Sequence, residues 1–243
     1  MNSYNYDLHI HSCLSPCADD DMTPANIAGM AHLQGLNIVA LTDHNSSKNC
    51  PAFFAHAKKY GIVPIAGMEL TTAEDIHVIC LFDTLDSAME FDGIVERRLM
   101  YVKNRPDIFG CQLIMNENDE TVGEIEPLLI NATDIDLDEA YKICTSMGGA
   151  CYPAHIDRDS GGMISILGNF PDNPKYAAFE LNFKESLEEY MARFPVTEKM
   201  QFVVSSDAHN LWKISDAGNT LSLDDEPYSS QKVRESLIKY LRG

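Results

Sequence analysis

The sequence predicts an α/β fold in which short strands alternate with helices and close into a seven-stranded (β/α)7 barrel, with an insertion after the fourth strand. Three observations predict it. Short apolar runs of buried-strand length recur between helical patterns. Strands that alternate with helices pair in parallel, and seven or eight such units close most simply into a barrel. The third observation is positional: most of the histidines fall at or just after the ends of these runs, where a barrel carries its chemistry.

The first run, Tyr4-Asn-Tyr-Asp-Leu8, alternates and leads into His9-Ile-His11. Side chains on a strand repeat every second residue, so both imidazoles share a face. A polar loop from Ser12 to Asp21 follows, and Thr23-Pro24 supplies a cap residue and a proline for the first helical turn, predicting a helix to Leu33 that Gly35 ends. Asn37 to Thr42 is the second strand and delivers Asp43-His44-Asn45 into a loop. Pro51 opens a helix through Ala52, Phe53, Ala55 and Ala57, with Gly61 beyond its end. Ile62 to Ala66 is the third strand, ending at Gly67-Met-Glu69, and Ile76 to Phe82 is the fourth, carrying His77.

The stretch from 83 to 133 behaves differently. It holds a helical pattern from Asp86 to Val102, a break at Pro106 and a turn at Asn116–Glu120 that suggests a hairpin. It is expected as an insertion, a lid on a single domain spanning 1–243. Asp136 with Glu139 then caps a helix closed by Gly148-Gly149. The strand rhythm returns with Ala150 to Ala154 leading to His155, Tyr176 to Glu180, and Gln201 to Ser205 leading to Asp207 and His209.

Composition excludes several classes of function. Against 18 basic residues stand 37 acidic ones, a formal charge of -19, which repels long nucleic acid and anionic membranes unless cations offset it locally. No basic and apolar leader opens the chain and no long apolar run crosses a bilayer, so a soluble cytoplasmic protein is expected. The seven cysteines are scattered without any Cys-x-x-Cys pair, as suits reduced thiols.

Collected at the strand ends are His9, His11, His44, Glu69, His77, His155, Asp207 and His209, while His32 and His56 sit in helical patterns. Unrelated polar residues would not gather in this way, and imidazole with carboxylate is the donor set of zinc, manganese or iron. One divalent ion takes about four to six such ligands, so the set fits a cluster of two or three ions. In so acidic a chain those ions would create a cationic pocket for a small anion such as phosphate.

The pattern resembles the PHP (polymerase and histidinol phosphatase) phosphoesterases, through Asp7-Leu-His-Ile-His11-Ser12, Leu41-Thr-Asp-His44, Gly67-Met-Glu69, His77, Pro153-Ala-His155 and Ser206-Asp-Ala-His209. The resemblance implies a distorted, TIM-like seven-stranded barrel with a trinuclear site. By resemblance, His9, His11, Glu69 and Asp207 hold one ion, Glu69, His77 and His155 a second, and His44 and His209 a third. It also implies a ninth ligand in the loop after His11; counting back from Thr23-Pro24 places it at Asp19, with Asp20, Asp21 and Cys17 as alternatives.

In such a site the ions lower the pKa of a bound water, which attacks the phosphorus without a side-chain nucleophile. Arg158 is expected to fork onto the phosphate. Asp43 is expected to orient a ligand histidine rather than bind metal, and Glu69 and His155 are counted with them as catalytic. The resemblance points to a free-standing branch acting on nucleotide 3',5'-bisphosphates or short RNA ends, with histidinol phosphate as the alternative substrate. A metal-dependent amidohydrolase and a non-catalytic metal-binding accessory module are the competing readings; the first commonly uses a carboxylated lysine where this chain has Glu69.

Overall fold

The computed structural model describes residues 1–243. In chain order its elements are β1 (Asn2–Asp7), α1 (Pro24–Leu33), β2 (Ile38–Leu41), α2 (Cys50–Lys59), β3 (Val63–Thr71), β4 (His77–Phe82), α3 (Leu85–Arg98), α4 (Pro106–Phe109), β5 (Leu113–Met115), β6 (Thr121–Glu124), α5 (Leu137–Ser146), β7 (Ala150–Pro153), α6 (Met163–Leu167), β8 (Ala178–Leu181), α7 (Leu187–Arg193), β9 (Gln201–Val204), β10 (Thr220–Leu223) and α8 (Ser230–Arg242). The predicted caps form: the Thr23 hydroxyl accepts the Asn26 N–H at 3.3 Å, and the Asp136 carboxylate accepts that of Glu139 at 2.8 Å.

Six strands form one curled, half-barrel sheet in the order β10-β1-β2-β3-β4-β7, and β8 pairs with β9 separately. The expected continuous ring of parallel strands is therefore not what the hydrogen bonds draw. β1, β2 and β3 are parallel, but β3–β4 and β4–β7 are antiparallel. The cause lies in the connection after β3: Thr72 to Ile76 is a tight turn, with Asp75 at φ 63, and a parallel return needs a crossover of roughly a dozen residues. β4 therefore runs backwards. Its first residue, His77, arrives at the rim where the carboxyl ends of its neighbours gather.

The sheet divides two cores because successive strand residues point to opposite faces. One face, through Val39, Leu41, Ala66 and Met68, packs with Ile27, Phe53, Phe91 and Ala140 of the helices. The other carries Ile38, Ala40, Ile65, Ile79 and Tyr152 and is covered by Val233, Leu237, Ile238 and Leu241 of α8. Neither β10 nor α8 was expected, although the apolar spacing of α8 is that of an amphipathic helix. Residues 83–133 contribute Phe91 and Val95 of α3 to the first core. The hairpin β5–β6 is held beside α2, where Asn49 donates to the Leu113 carbonyl at 3.0 Å and accepts the Met115 N–H at 2.9 Å. No helix is long and apolar enough to cross a membrane.

Candidate metal centre

Six strand ends and the loops beside them bring the polar residues together. His11 follows a single parallel bridge between Ile10 and Ala208, and its N–H donates to the Ala208 carbonyl at 3.0 Å. A second bridge joins His44 to Glu69, so the ends of β2 and β3 stay in step beyond the sheet. His155 and Asp207 occupy the left-handed region, at φ 24 and φ 51, a conformation that costs energy and turns each side chain away from its strand toward the rim.

Glu69, almost fully buried, stands among five imidazoles. Its Oε1 lies 2.8 Å from His77 Nδ1 and 2.9 Å from His155 Nε2. Its Oε2 lies 2.9 Å from His44 Nδ1, 3.2 Å from His11 Nε2 and 3.5 Å from His9 Nε2. Asp207 Oδ1 is 3.2 Å from His9 Nε2 and 3.1 Å from His11 Nε2, and those two nitrogens are 3.0 Å apart.

The outer ring nitrogens determine what faces the centre. His9 Nδ1–H donates to the buried Glu180 carboxylate at 2.7 Å, which also accepts the His155 backbone N–H at 3.2 Å. Ser15 has one hydroxyl proton, and it goes to Asp43 Oδ1 at 2.7 Å. The Ser15 Oγ is then the acceptor for His11 Nδ1–H at 2.9 Å and the His44 N–H at 3.1 Å. His209 Nδ1–H is spent on the Asp207 carbonyl at 2.8 Å. In its neutral form each of these histidines therefore carries its proton on Nδ1 and turns Nε2 inward as the lone-pair donor.

Lone pairs held 3.0 Å apart repel, and a cation between them removes the repulsion. The four donors of His9, His11, Glu69 and Asp207 all lie close to one another, as do those of His11, His44 and His209 and those of His44, Glu69 and His77. Five of the separations within the first set run from 3.0 to 3.5 Å, close enough for one ion bonded at roughly 2 Å to be shared between these donors. Glu69 Oε2 and His44 Nδ1 are buried and make no hydrogen bond despite being 2.9 Å apart, so both are free to take an ion. The donor set fits divalent metal.

The electrostatics of the cluster are strained accordingly. Burial opposes charge on His9 and His11, but the carboxylates of Glu180, Asp207 and Glu69 around them outweigh it, holding His9 well above the usual imidazole value and His11 at about 9. His44 and His209 are pushed down to about 4 and about 3 by burial, with the charge of His11 adding to it. Burial alone would raise the carboxyls of Glu69 and Asp207, yet the surrounding imidazoles hold both well below the carboxylate range.

Asp43 touches no metal donor. It accepts the Ser12 N–H and hydroxyl at 2.6 Å each besides Ser15, and so sets the loop that carries His11. Arg158 pairs with Asp207 at the mouth of a cavity of about 320 Å³. Asp19 is not brought into the cluster: it is exposed, and only its N–H reaches the region, on the His209 carbonyl at 2.9 Å. Asp20 and Asp21 are exposed too, and Cys17, also exposed, is the residue of this loop that lines the cavity. Sequence reasoning missed Glu180 and Ser15, although a glutamate closing an apolar run is itself a sign of a buried partner.

An α/β sheet whose strand ends collect buried imidazoles and carboxylates is the framework of a metal-dependent hydrolase. A family model described as PHP domain matches residues 7–193, and the chain belongs to that family. A 5'-3' exoribonuclease of Haemophilus influenzae is 35% identical over 79 residues, 31% of this chain and 28% of that protein. The lesion-specific endonuclease PfuEndoQ of Pyrococcus furiosus superposes on all of this chain with a TM-score of 0.62 at 18% identity, this chain spanning 57% of its length. A protein of Bifidobacterium adolescentis described as a metal-dependent phosphoesterase is similar over 96% of this chain and 95% of its own, with a TM-score of 0.53 and 17% identity. Endonuclease Q is also seen with a 27-mer duplex bearing an abasic lesion, so the argument from net charge against long nucleic acid lacks support.

Proposed function

We propose that this chain hydrolyses a phosphate ester with a metal-activated water held at the Glu69 cluster. The observation that carries the reading is the convergence of His9, His11, Glu69 and Asp207 at edges of 3.0 to 3.5 Å, each histidine with its outer nitrogen already committed. These four would hold one ion. Glu69 with His77 and His155 would hold a second, and His44 with His209 a third; zinc, manganese and iron all suit this donor set. Bound there, divalent metal supplies a hydroxide near neutral pH and neutralises the phosphoryl oxygens.

The chain's own residues do the rest. Glu180, and Asp43 through Ser15, keep the inner nitrogens unprotonated and aimed. Arg158, at the cavity mouth, forks onto the phosphate in a way lysine cannot reproduce. Ile130, from the 83–133 stretch, lines the cavity, which supports reading that stretch as a lid that limits water beside the ester. Cys17, which lines the cavity, would complete the third site.

The reading is tested by elemental analysis of protein purified without chelator, beside a phosphate-release screen on nucleotides, 3',5'-bisphosphates, histidinol phosphate and short oligonucleotides. At least two metals per chain and release from one class are expected. Less than one metal per chain removes the cluster, and full metal with no release from any ester favours an accessory role.

A further inference from the structure

The two strands that lead to His77 and His155 also bring together cysteines that the metal centre does not use. Cys80 of β4 and Cys151 of β7 are cross-strand partners. The Ala154 N–H donates to the His77 carbonyl at 3.1 Å, and hydrogen-bonded pairs alternate along an antiparallel ladder. Cys80 and Cys151 therefore fall on a pair without ladder hydrogen bonds, where side chains stand closest. Their sulfurs are 3.9 Å apart. Cys144 of α5 adds a third thiol within hydrogen-bonding reach of both, and Gly149 leaves it room, since a Cβ there would fall 2.7 Å from its sulfur. All three are free and buried in the core. Their acidities differ: hydrogen bonds from Cys144 and Cys80 draw the Cys151 thiol below its usual range, while burial pushes those two up. The cluster thus holds one thiolate between two thiols. Cys151 also has an approach from solvent, a narrow cleft it shares with Tyr141 and Thr145 of α5 and Leu241 and Arg242 of α8. That cleft is about 10 Å³, close to the least that holds a single water, so only the smallest oxidants enter it.

We propose that Cys80 and Cys151 form a reversible disulfide on reaction with hydrogen peroxide, and that this bond loosens the hold of His77 and His155 on metal at Glu69; the second half rests on the metal-centre reading above. The thiolate is the nucleophilic form of cysteine. The Cys151 sulfur attacks one peroxide oxygen, the O–O bond breaks, and hydroxide leaves, taking up a proton to become water while Cys151 becomes a sulfenic acid. Cys80 sulfur then attacks Cys151 sulfur, the S–O bond breaks, and the oxygen departs with the Cys80 proton as a second water. Two thiols are oxidised to one disulfide, and one peroxide is reduced. A disulfide prefers Cα separations of about 5.5–6 Å, whereas a cross-strand pair of this kind holds them at about 4.5 Å. Closing the bond therefore spreads β4 from β7, and the strained link is readily reopened by a thiol reductant. His77 opens β4 three residues before Cys80, and His155 follows β7 four residues beyond Cys151, so the spread reaches both donors.

Chelated protein is treated with hydrogen peroxide, alkylated, digested and mapped by mass spectrometry. Parallel samples, freed of peroxide, are titrated with manganese, which prefers oxygen and nitrogen donors to thiols and whose free ion is followed by its paramagnetic resonance. A peptide linked through Cys80 and Cys151 is expected, and dithiothreitol should release it. The oxidised protein should hold manganese roughly ten-fold or more weakly, the scale on which disturbing what orients a ligand acts, and should recover on reduction. Cys80→Ala and, independently, Cys151→Ala should lose the link and keep their manganese binding through the peroxide treatment, with thermal unfolding before oxidation showing that each variant folds. Wild type that yields no Cys80–Cys151 peptide overturns the proposal without recourse to any variant. Manganese binding that is the same with and without the link overturns it too, as does an equal loss in Cys80→Ala, which would place the effect at exposed thiols such as Cys17. Protein that forms the link but binds no manganese in either state sinks the metal-centre reading and leaves the disulfide standing.

Discussion

Replacing Glu180 with glutamine is expected to loosen metal at the His9 corner by roughly 10- to 100-fold while leaving the fold in place. Glu180 is fully buried and never approaches the centre; it acts by accepting His9 Nδ1–H at 2.7 Å and the His155 N–H at 3.2 Å from one oxygen. Glutamine keeps the volume and one acceptor oxygen, so both bonds can re-form, but without the charge that strengthens them. A hydrogen bond to a charged group contributes about 1.5–3 kcal/mol and a neutral one about 1 kcal/mol. The amide also stops drawing the Nδ1 proton outward, which lowers the basicity of the inward Nε2. At a fixed free metal concentration well above the dissociation constant, a 10- to 100-fold loss reduces metal-induced stabilisation by about 1.4 to 2.7 kcal/mol. Thermal unfolding of wild type and Glu180→Gln, each chelated and in a manganese buffer, measures this as a difference of differences. If the metal-induced increment is the same in both proteins, or if the chelated variant loses as much as the loaded one, the positioning role is refuted.

Gly161 is expected to tolerate no side chain: at φ +67 its backbone is left-handed, and a Cβ would fall 2.8 Å from Cγ and Nδ1 of His77. Gly161→Ala should therefore swing His77 from Glu69 and lower metal content per chain by elemental analysis, whereas full metal content would show that the loop yields instead. Ser15→Ala removes the acceptor shared by His11 Nδ1–H and the His44 N–H and one donor to Asp43. A loss of about 1–3 kcal/mol in denaturant unfolding of the chelated protein is expected, and a change below the scatter of the measurement would mean that water replaces the hydroxyl. In the chelated protein the raised His11 contributes stability that is whole below pH 6.5 and is lost as pH rises through about 9, and His9, raised as well, acts in the same direction. Chelated protein should accordingly unfold at a lower temperature at pH 9 than at pH 6.5, and a flat profile would show that the two imidazoles are neutral in the ion-free cluster.

The histidine positions were legible in the sequence because strand ends are. Apolar runs of four to six residues closed by polar ones mark where a chain leaves a sheet, and His9, His11, His44, His155, Asp207 and His209 stand at such boundaries. His77 did not obey that rule. It stands at the start of its strand, and only the reversal of β4 after the tight turn at Thr72–Ile76 carries it to the same rim. The helix α8 had the right apolar spacing, yet spacing does not say which face of a sheet a helix will cover.

Sequence alone determined the donor chemistry and its family, because residue type and distance from a strand end survive any arrangement of the strands. Tertiary structure alone decided how the donors are held. The partners of His9 and His11 lie elsewhere in the chain, at Glu180 and, through Ser15, at Asp43, and a hydrogen bond across such a separation has no signature in local pattern. It decided the loop after His11 as well: counting residues pointed to Asp19, but the turn there exposes all three aspartates and turns Cys17 to the cavity, because a loop's side-chain directions follow its backbone dihedrals and not a period.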